Sequence, residues 1–245
     1  MRLALISDIH GNLPALEAVL ADIRQRGCDA VVNLGDCLSG PLWPRETAQL
    51  LMAENHTTLA GNHERQLLNL PLTQQNESDR FTASQLTATE WNWLAQLPAT
   101  LQLDDDILLC HGSPHSDIVY LTESIFHGRT VLSTENEIRR RLEGTKSAVI
   151  ACGHTHIPRS LYLDDILIVN PGSVGLQAYA DDHPPHTIEN GSPHARYGII
   201  EKSQHTWKSE HFTIPYRHDL AAEKAQKENR TDWAFALKYG RTPST

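Results

Sequence analysis

Residues 3–12 read LALISDIHGN, a short apolar run that ends in a turn carrying Asp8 and His10. Such a run is typical of a buried strand. Side chains two positions apart in an extended segment point to the same side, so this carboxylate and this imidazole can converge on one cation. An Asp-x-His triplet alone is a weak signal, because such triplets occur by chance. Its importance comes from similar segments further along the chain.

Four more apolar runs end in a glycine next to Asp, Asn or His. They are VVNLGD (31–36), TLAGNHE (58–64), ILLCHG (107–112) and VIACGHTH (149–156). Glycine permits the sharp turn that directs a neighbouring side chain away from the strand, and ligands of open α/β sheets bind at the carboxyl ends of the strands. The five segments together predict one metal site built from Asp8, His10, Asp36, Asn62, His111, His154 and His156.

Each of these residues, taken singly, has a simpler explanation. A histidine after a strand is more often a hydrogen-bonded turn residue than a ligand, and Gly-Asp or Gly-Asn is usually only a turn. Five strand ends with donors in the same context argue against coincidence.

The number and type of the donors predict a dinuclear centre. Seven side chains are too many for one tetrahedral zinc ion and suit two neighbouring cations, with Asp36 as the candidate bridge. Two divalent ions, two carboxylates and a bridging hydroxide leave a net charge of about +1, which attracts a phosphate anion. Imidazoles with oxygen donors favour transition metals, with Mn²⁺, Fe²⁺/Fe³⁺ and Zn²⁺ the expected ions and Co²⁺ and Ni²⁺ alternatives, over Ca²⁺ or Mg²⁺. Such a centre can activate water for attack on a phosphate ester.

The order of the periodic segments predicts an α/β fold. Apolar residues at helical spacing follow the first two strands, over residues 13–26 and 44–54, and this alternation favours a largely parallel sheet with right-handed crossovers. Thr87 and Thr134 each begin a capping box that opens a further helix. Strand-like periods then occupy 160–163, 166–169, 196–201 and about 206–212, and a helix is predicted over 219–239. Residues 113–133 are expected to be irregular, and His183, His186 and His194 are expected to lie solvated in a loop.

Size, charge and cysteine usage exclude several classes of function. The 245 residues suit a single domain over 1–245 with a C-terminal helical tail at about 216–245. A net charge of −9 argues against non-specific nucleic-acid binding. No apolar run approaches the roughly 18 residues of a membrane span, and the first strand is too short for a signal peptide. The four cysteines form no C-x-x-C pair, so we expect free, mostly buried thiols and a cytoplasmic location; a homo-oligomer is possible.

The motifs, taken in order, resemble those of the calcineurin-like metallophosphoesterase superfamily. They are Asp8-x-His10, Gly35-Asp36, Gly61-Asn62-His63-Glu64, His111-Gly112 and Gly153-His154-Thr155-His156. Within residues 1–200, Gly40-Pro41, HGSP (111–114) and NPGSV (170–174) further resemble its small bacterial and archaeal phosphodiesterase-like branch. The resemblance implies a four-layer α/β/β/α sandwich with two mixed sheets and the dimetal centre at one edge. It also implies that Asp8, His10 and His156 hold one ion and Asn62, His111 and His154 the other, with Asp36 bridging.

His63 is the residue that we assign to proton transfer. Consecutive side chains diverge, so Asn62 can face a metal while His63 faces the leaving-group oxygen, and an imidazole can protonate that oxygen near neutral pH. The family resemblance points to the same role, with Glu64 as a candidate to orient the ring. The alternative is a purely structural His63.

One departure from the superfamily bears on the substrate. Its protein serine/threonine phosphatases continue the second motif with Asp-Arg, whereas here Cys37 follows Asp36. Arg45 and Arg65 lie nearby in sequence, but their place relative to the site is not predicted. Fewer fixed positive groups favour a singly charged diester. We therefore expect a phosphodiesterase acting on a small or nucleotide-type phosphate ester, the alternatives being a phosphomonoesterase, a phosphoprotein phosphatase or a dinucleoside polyphosphate hydrolase.

A binding scaffold that kept the fold and lost turnover is the competing class, as in a retromer subunit that resembles this family. Such a scaffold should lack some ligands or the histidine of the Asn-His pair. This chain has all of them. A redox metal protein is disfavoured because nothing in the sequence indicates a second cofactor.

Overall fold

A computed structural model describes residues 1–204 and 206–243. The strands are β1 (Arg2–Ile6), β2 (Ala30–Asn33), β3 (Thr57–Thr58), β4 (Thr100–Gln102), β5 (Ile107–Cys110), β6 (Glu123–Phe126), β7 (Arg129–Leu132), β8 (Val149–Ala151), β9 (Arg159–Leu163), β10 (Ile166–Asn170), β11 (Ala178–Asp182), β12 (Pro185–Glu189), β13 (Ala195–Ser203) and β14 (Thr206–Ile214). The helices are α1 (Leu13–Arg26), α2 (Pro44–Glu54), α3 (Asn62–Asn69), α4 (Glu77–Gln85), α5 (Ala88–Leu94), α6 (Glu135–Leu142), α7 (His218–Lys227) and α8 (Thr231–Tyr239).

Two mixed sheets form the centre of the fold. The first has the order β14-β13-β1-β2-β3, with β1, β2 and β3 parallel, and the second has the order β4-β5-β8-β10-β9, with β5, β8 and β10 parallel. Apolar side chains such as Leu5, Val32, Leu109 and Val149 are buried between the two sheets. The predicted pair of mixed sheets is confirmed.

Helices cover both outer faces of this pair. Helices α1 and α2 pack on the first sheet, where Leu16 and Leu51 join Ile6 in one buried cluster. Helix α6 packs on the second sheet through Ile138, which is buried with Ile150. The layers are therefore α/β/β/α, as predicted.

Local signals placed the first helix correctly. The Asn12 side chain accepts a hydrogen bond from the Ala15 amide at 3.3 Å, and Gly27 ends α1 in the left-handed conformation with φ 67°. These are the capping and stop roles expected of the two residue types. The capping boxes at Thr87 and Thr134 also open α5 and α6.

A third, four-stranded sheet lies in segments expected to be irregular. Its order is β11-β12-β7-β6, so the expectation of irregular structure over 113–133 is wrong for β6 and β7. These strands are short, carry charged residues and meet through the distant pair Thr187–Arg129, so local periodicity does not reveal them. His186 belongs to β12 and is 5% exposed, which corrects its expected solvation; His183 is exposed and His194 is half-buried.

The C-terminal tail forms two helices rather than the single predicted one. Asn229, with φ 61°, separates α7 from α8. Ala225, Trp233 and Leu237 are buried in a cluster that includes Leu176. The tail is therefore packed against the loop that follows β10. Over the described ranges 1–204 and 206–243, none of the helices has both the length and the apolarity needed to cross a bilayer.

Gly175 marks the closest approach between the loop after β10 and the turn after β1. A Cβ atom there would lie 1.7 Å from the backbone oxygen of Ile9. We expect Gly175→Ala to lower the free energy of unfolding by about 3 kcal/mol, because the backbone must move to relieve the overlap. Urea denaturation measures the change.

Gly198→Ala is the matched control for this substitution. A Cβ atom at Gly198 would have its nearest neighbour at 3.5 Å, an ordinary contact. We expect its free energy of unfolding to stay within about 1 kcal/mol of the parent protein. Equal unfolding midpoints for the two variants would contradict the steric argument.

Candidate metal centre

All seven predicted ligands lie just beyond the carboxyl ends of parallel strands. They follow β1, β2 and β3 of the first sheet and β5 and β8 of the second. Two groups of donors are each compact enough to hold one cation: Asp8, His10 and His156 form the first, and Asp36, His111 and His154 form the second. The amide oxygen of Asn62 lies 3.2 Å from Nε2 of His111, beside the second group.

The two groups adjoin one another. Oδ1 of Asp8 lies 3.4 Å from Nε2 of His156 and 4.0 Å from Nε2 of His111, which belongs to the other group. Oδ2 of Asp36 lies 3.1 Å from Nε2 of His111. The structure thus brings together the residues of each ligand set implied by the family resemblance, with Asp36 in the second group beside Asn62.

The backbone at this site is strained. Five of the seven predicted ligands adopt the left-handed conformation despite having a Cβ atom: Asp8, His10, Asp36, His154 and His156, with φ between 52° and 68°. Each such residue costs of the order of 1 kcal/mol. Gly61 relieves the crowding beside them, since a Cβ atom there would lie 2.2 Å from Oδ1 of Asp36. Strain concentrated at one cluster indicates that function selects the geometry.

Three of the imidazoles are fixed in one tautomer by backbone carbonyl groups. The contacts are His10 Nδ1 with Ser39 O at 2.8 Å, His111 Nδ1 with Leu34 O at 2.8 Å and His156 Nδ1 with Leu176 O at 2.6 Å. Because a carbonyl oxygen only accepts, each Nδ1 must donate its proton. In the neutral ring, each Nε2 then keeps a lone pair directed into the site, the arrangement found around metal-binding histidines.

The polar atoms that face inward fit cations better than they fit one another. Oδ1 of Asp8 is buried without a hydrogen-bond donor among the described residues. Nε2 of His10 and Nε2 of His156 approach to 3.2 Å, although neither carries a proton in the tautomers just described. Two facing lone pairs and an unpaired carboxylate oxygen are costly when buried and favourable around a metal ion.

The pKa values of the histidines in the two groups also favour cation binding. Burial, together with the neighbouring His156, lowers the pKa of His10 to about 4, so this ring is neutral and able to ligate. Burial also lowers the pKa of His111, but the carboxylates of Asp36 and Asp8 outweigh it and raise the value to about 10. The same carboxylates that favour a protonated His111 would favour a divalent cation in place of that proton.

His63 lies beside the ligands and is held by Asp79. Its Nδ1 is 2.8 Å from Oδ1 of Asp79, a carboxylate that is completely buried. Asp79 also accepts hydrogen bonds from the Ser39 hydroxyl at 2.6 Å and from the side-chain Nδ2 of Asn76 at 2.8 Å. Burial lowers the pKa of His63, but Asp36 and Asp79 raise it to about 9, so the ring holds a proton at neutral pH.

Glu64 does not orient His63. Its carboxylate accepts hydrogen bonds from the backbone amides of Asp36, Cys37 and Gly61 at 2.8–2.9 Å. Glu64 therefore fixes the turn that presents Asp36. Asp79 has the orienting position, and its spacing of 16 residues from His63 gave no local signal.

The cysteines are free, as predicted, and three of them are buried. Burial raises the pKa of Cys110 to about 12 and places those of Cys37 and Cys152 well above their usual value. Protonated thiols are poor metal ligands.

The metal groups open into a cleft of about 840 Å³ that the C-terminal tail helps to form. Arg45 faces Glu90 at 3.9 Å and Arg65 pairs with Asp117, and neither lines this cleft. Arg230 and Trp233 do line it, and the Trp233 ring lies edge-on to His10 at 5.9 Å. Sequence reasoning missed both tail residues, because no motif marks them.

An α/β/β/α sandwich with paired imidazole and carboxylate groups at its strand ends defines a metal-dependent hydrolase. The chain belongs to the calcineurin-like phosphoesterase superfamily, whose domain profile matches residues 1–188. Members of this family are phosphoric ester hydrolases that use divalent metal ions, and the two donor groups described above suit such ions.

Individual relatives agree with this assignment. The chain is 32% identical over 211 residues to the phosphodiesterase YfcE of Escherichia coli K12, covering 82% of this chain and 88% of YfcE. The crystal structure of a metallophosphoesterase from Sphaerobacter thermophilus, 25% identical, superposes with a TM-score of 0.77 over 98% of this chain and 99% of that one. A Pyrococcus horikoshii protein of 17% identity shares the fold, with a TM-score of 0.73 and 97% coverage of both chains.

Proposed function

We propose that this protein is a phosphodiesterase for small or nucleotide-type substrates, with His63 as the general acid. One observation carries the proposal: two donor groups that can each hold a cation lie side by side, and the His63 imidazole, hydrogen-bonded to the buried Asp79 carboxylate, stands next to them. Asp8, His10 and His156 would hold one ion and Asn62, His111 and His154 the other, with Asp36 between them. Mn²⁺, Fe²⁺/Fe³⁺ or Zn²⁺ suits these donors.

Bound cations would supply Lewis-acid activation of water and positive charge for the phosphoryl oxygens. Residues of the chain itself supply the proton and hold its donor in place. His63 holds a proton at Nε2 and can give it to the leaving oxygen, and Asp79 keeps Nδ1 protonated and the ring in place.

The shortage of free positive side chains supports a diester substrate. Arg65 is engaged with Asp117 outside the cleft. Arg230 pairs with both carboxylate oxygens of Asp232, at 3.0 and 2.7 Å. A phosphomonoester dianion would need more unpaired positive charge than a diester monoanion needs. The closest alternative within the family is therefore a monoesterase, which the assay below separates from our proposal.

The test is a substrate panel on metal-stripped protein that is reloaded with Mn²⁺. We expect the stripped protein to be inactive and the reloaded protein to hydrolyse bis(p-nitrophenyl) phosphate with a higher kcat/KM than p-nitrophenyl phosphate. Activity confined to monoesters, or full activity without metal, would refute the proposal. Reloading with Fe²⁺ and Zn²⁺ in parallel allows the three metals to be ranked by kcat/KM.

Asp79→Asn tests the orienting role of Asp79. The substitution keeps the shape of the side chain and removes the charge that holds the His63 proton. With a poor leaving group we expect kcat to fall by roughly tenfold to a hundredfold, with KM and metal content nearly unchanged. In a protein that carries both Asp79→Asn and His63→Ala, we expect kcat to be nearly the same as with His63→Ala alone, because both changes remove the same proton donor. A multiplicative loss in the double variant would contradict this role.

We further infer a cytoplasmic location and action of residues 1–245 as one domain. Free, buried thiols support the first inference, since they suit a reducing compartment. Packing of Trp233 against His10 supports the second, because the tail then completes the cleft.

A further inference from the structure

A second cleft meets the first one at the metal groups. It has a volume of about 540 Å³ and is bordered by Ile118, Val119 and Tyr120. Both clefts reach Asn62 and His154, and both are also lined by Asp181 and His183. His10, Asp36, His63 and His156 line the larger cleft only. A phosphoryl group held at Asn62 and His154 would therefore have one open cleft on each side.

The wall between the two clefts is well fixed. Tyr179 lines the larger cleft and Tyr120 the smaller one, and their hydroxyl groups lie 2.7 Å apart. The Tyr120 hydroxyl also lies 2.9 Å from Nε2 of His186, and its ring lies 5.0 Å from that of His154. The smaller cleft is thus a formed part of the site, anchored to a predicted metal ligand.

Apolar surface faces solvent inside the smaller cleft. Ile118 is 57% exposed and Val119 is 38% exposed, in the loop that precedes β6. Together with the Tyr120 ring they give this cleft an apolar and aromatic wall beside His154. Glu123 and Arg141 also line the cleft, but Glu123 is paired with Arg159, and the Arg141 guanidinium donates hydrogen bonds to backbone carbonyl and serine hydroxyl oxygens. Such a wall suits an uncharged organic substituent with a flat or apolar face.

The charges of the larger cleft disfavour any additional phosphate. Beyond the metal groups, the described residues that line it include the carboxylates of Glu77, Asp181, Asp182 and Asp232 against the single guanidinium of Arg230. Arg230 is already paired with Asp232. A leaving group that carried its own phosphate would enter a region of net negative charge.

We propose that the site accepts a phosphodiester with two uncharged organic arms, one in each cleft. The leaving group occupies the larger cleft, where His63 can protonate it, and the retained group lies against Ile118 and Val119 in the smaller one. This inference rests on the proposed phosphodiesterase function. It excludes dinucleoside polyphosphates as preferred substrates.

Variants of the smaller cleft test the inference with two substrates that share one leaving group. Bis(p-nitrophenyl) phosphate has a retained arm and p-nitrophenyl phosphate has none. Ile118→Ser removes an apolar side chain from the wall of this cleft, and Val119→Trp fills the cleft. In the Mn²⁺-loaded protein we expect each variant to lower the diester-to-monoester ratio of kcat/KM by roughly tenfold. Leu72→Ser is the matched control, because Leu72 is 60% exposed and lies outside both clefts; its ratio should stay at the parent value.

Binding gives a second readout. Isothermal titration calorimetry with the phosphorodithioate of thymidylyl-thymidine, a diester that resists hydrolysis, should show a Kd about tenfold higher in both smaller-cleft variants and unchanged in Leu72→Ser. Thymidylyl-(3′→5′)-thymidine should also be cleaved with a kcat/KM of the order of tenfold above that of di(thymidine-5′) diphosphate, whose leaving group carries a phosphate.

The outcomes separate this inference from the function on which it rests. If the parent protein cleaves the diester but neither smaller-cleft variant changes the ratio or the Kd, the two-cleft assignment is wrong and the phosphodiesterase function stands. A preference for di(thymidine-5′) diphosphate overturns the exclusion of polyphosphates. If the parent protein cleaves neither p-nitrophenyl ester, both the proposed phosphodiesterase function and the two-cleft assignment are wrong.

Discussion

Asp36→Asn should reduce kcat/KM by about 10³-fold or more and lower the metal content of the purified protein. The carboxylate of Asp36 is 2% exposed and lies 3.1 Å from Nε2 of His111. Burial raises the pKa of Asp36, yet the neighbouring His111 and His63 hold it well below its usual range, so the group is an anion. Asparagine keeps the shape but removes the negative charge that two adjacent cations would share.

Metal analysis and steady-state kinetics measure this effect together. Asp164→Asn is the control, since Asp164 is 63% exposed and pairs with Arg139 away from the site. The control should keep the metal content and activity of the parent protein. An Asp36→Asn protein that retains two ions and activity within tenfold of the parent would show that Asp36 does not bridge the ions.

His63→Ala should reduce turnover by about 10²- to 10⁴-fold while leaving metal content intact, because a general acid contributes on this scale. The loss should depend on the leaving group. An alkyl or nucleoside alcohol needs the proton from His63, whereas p-nitrophenolate departs without one. We therefore expect the full loss with a dinucleoside phosphate and a much smaller loss with bis(p-nitrophenyl) phosphate.

The two substrates thus serve as controls for each other. An equal loss on both would mean that His63 acts in binding or in the structure of the site. Unchanged turnover on the dinucleoside phosphate would remove His63 from the mechanism. Loss of metal from the variant would instead place His63 among the residues that support the ligands.

Much of the fold follows from local patterns. The first helix is defined by Asn12 and Gly27, and the β-α-β-α-β alternation predicted the parallel strands of the first sheet. The third sheet could not be predicted, since β7 and β12 pair across 58 positions, from Arg129 to Thr187, and neither strand has a continuous apolar face. The same limit explains His186, which is buried by contacts with Tyr120 rather than by its own segment.

The sequence alone indicated the family and the fold class and singled out seven candidate donors, because each apolar run ends in a turn that contains a glycine and one or two of these donors, and the runs recur in order. Tertiary structure decided everything that depends on distant partners. It selected Asp79 rather than Glu64 to hold His63, fixed the tautomer of His10 through the Ser39 carbonyl group, and brought Trp233 to the cleft. The physical reason is that strand ends are encoded by local periodicity, whereas hydrogen bonds and clefts depend on which segments meet after folding.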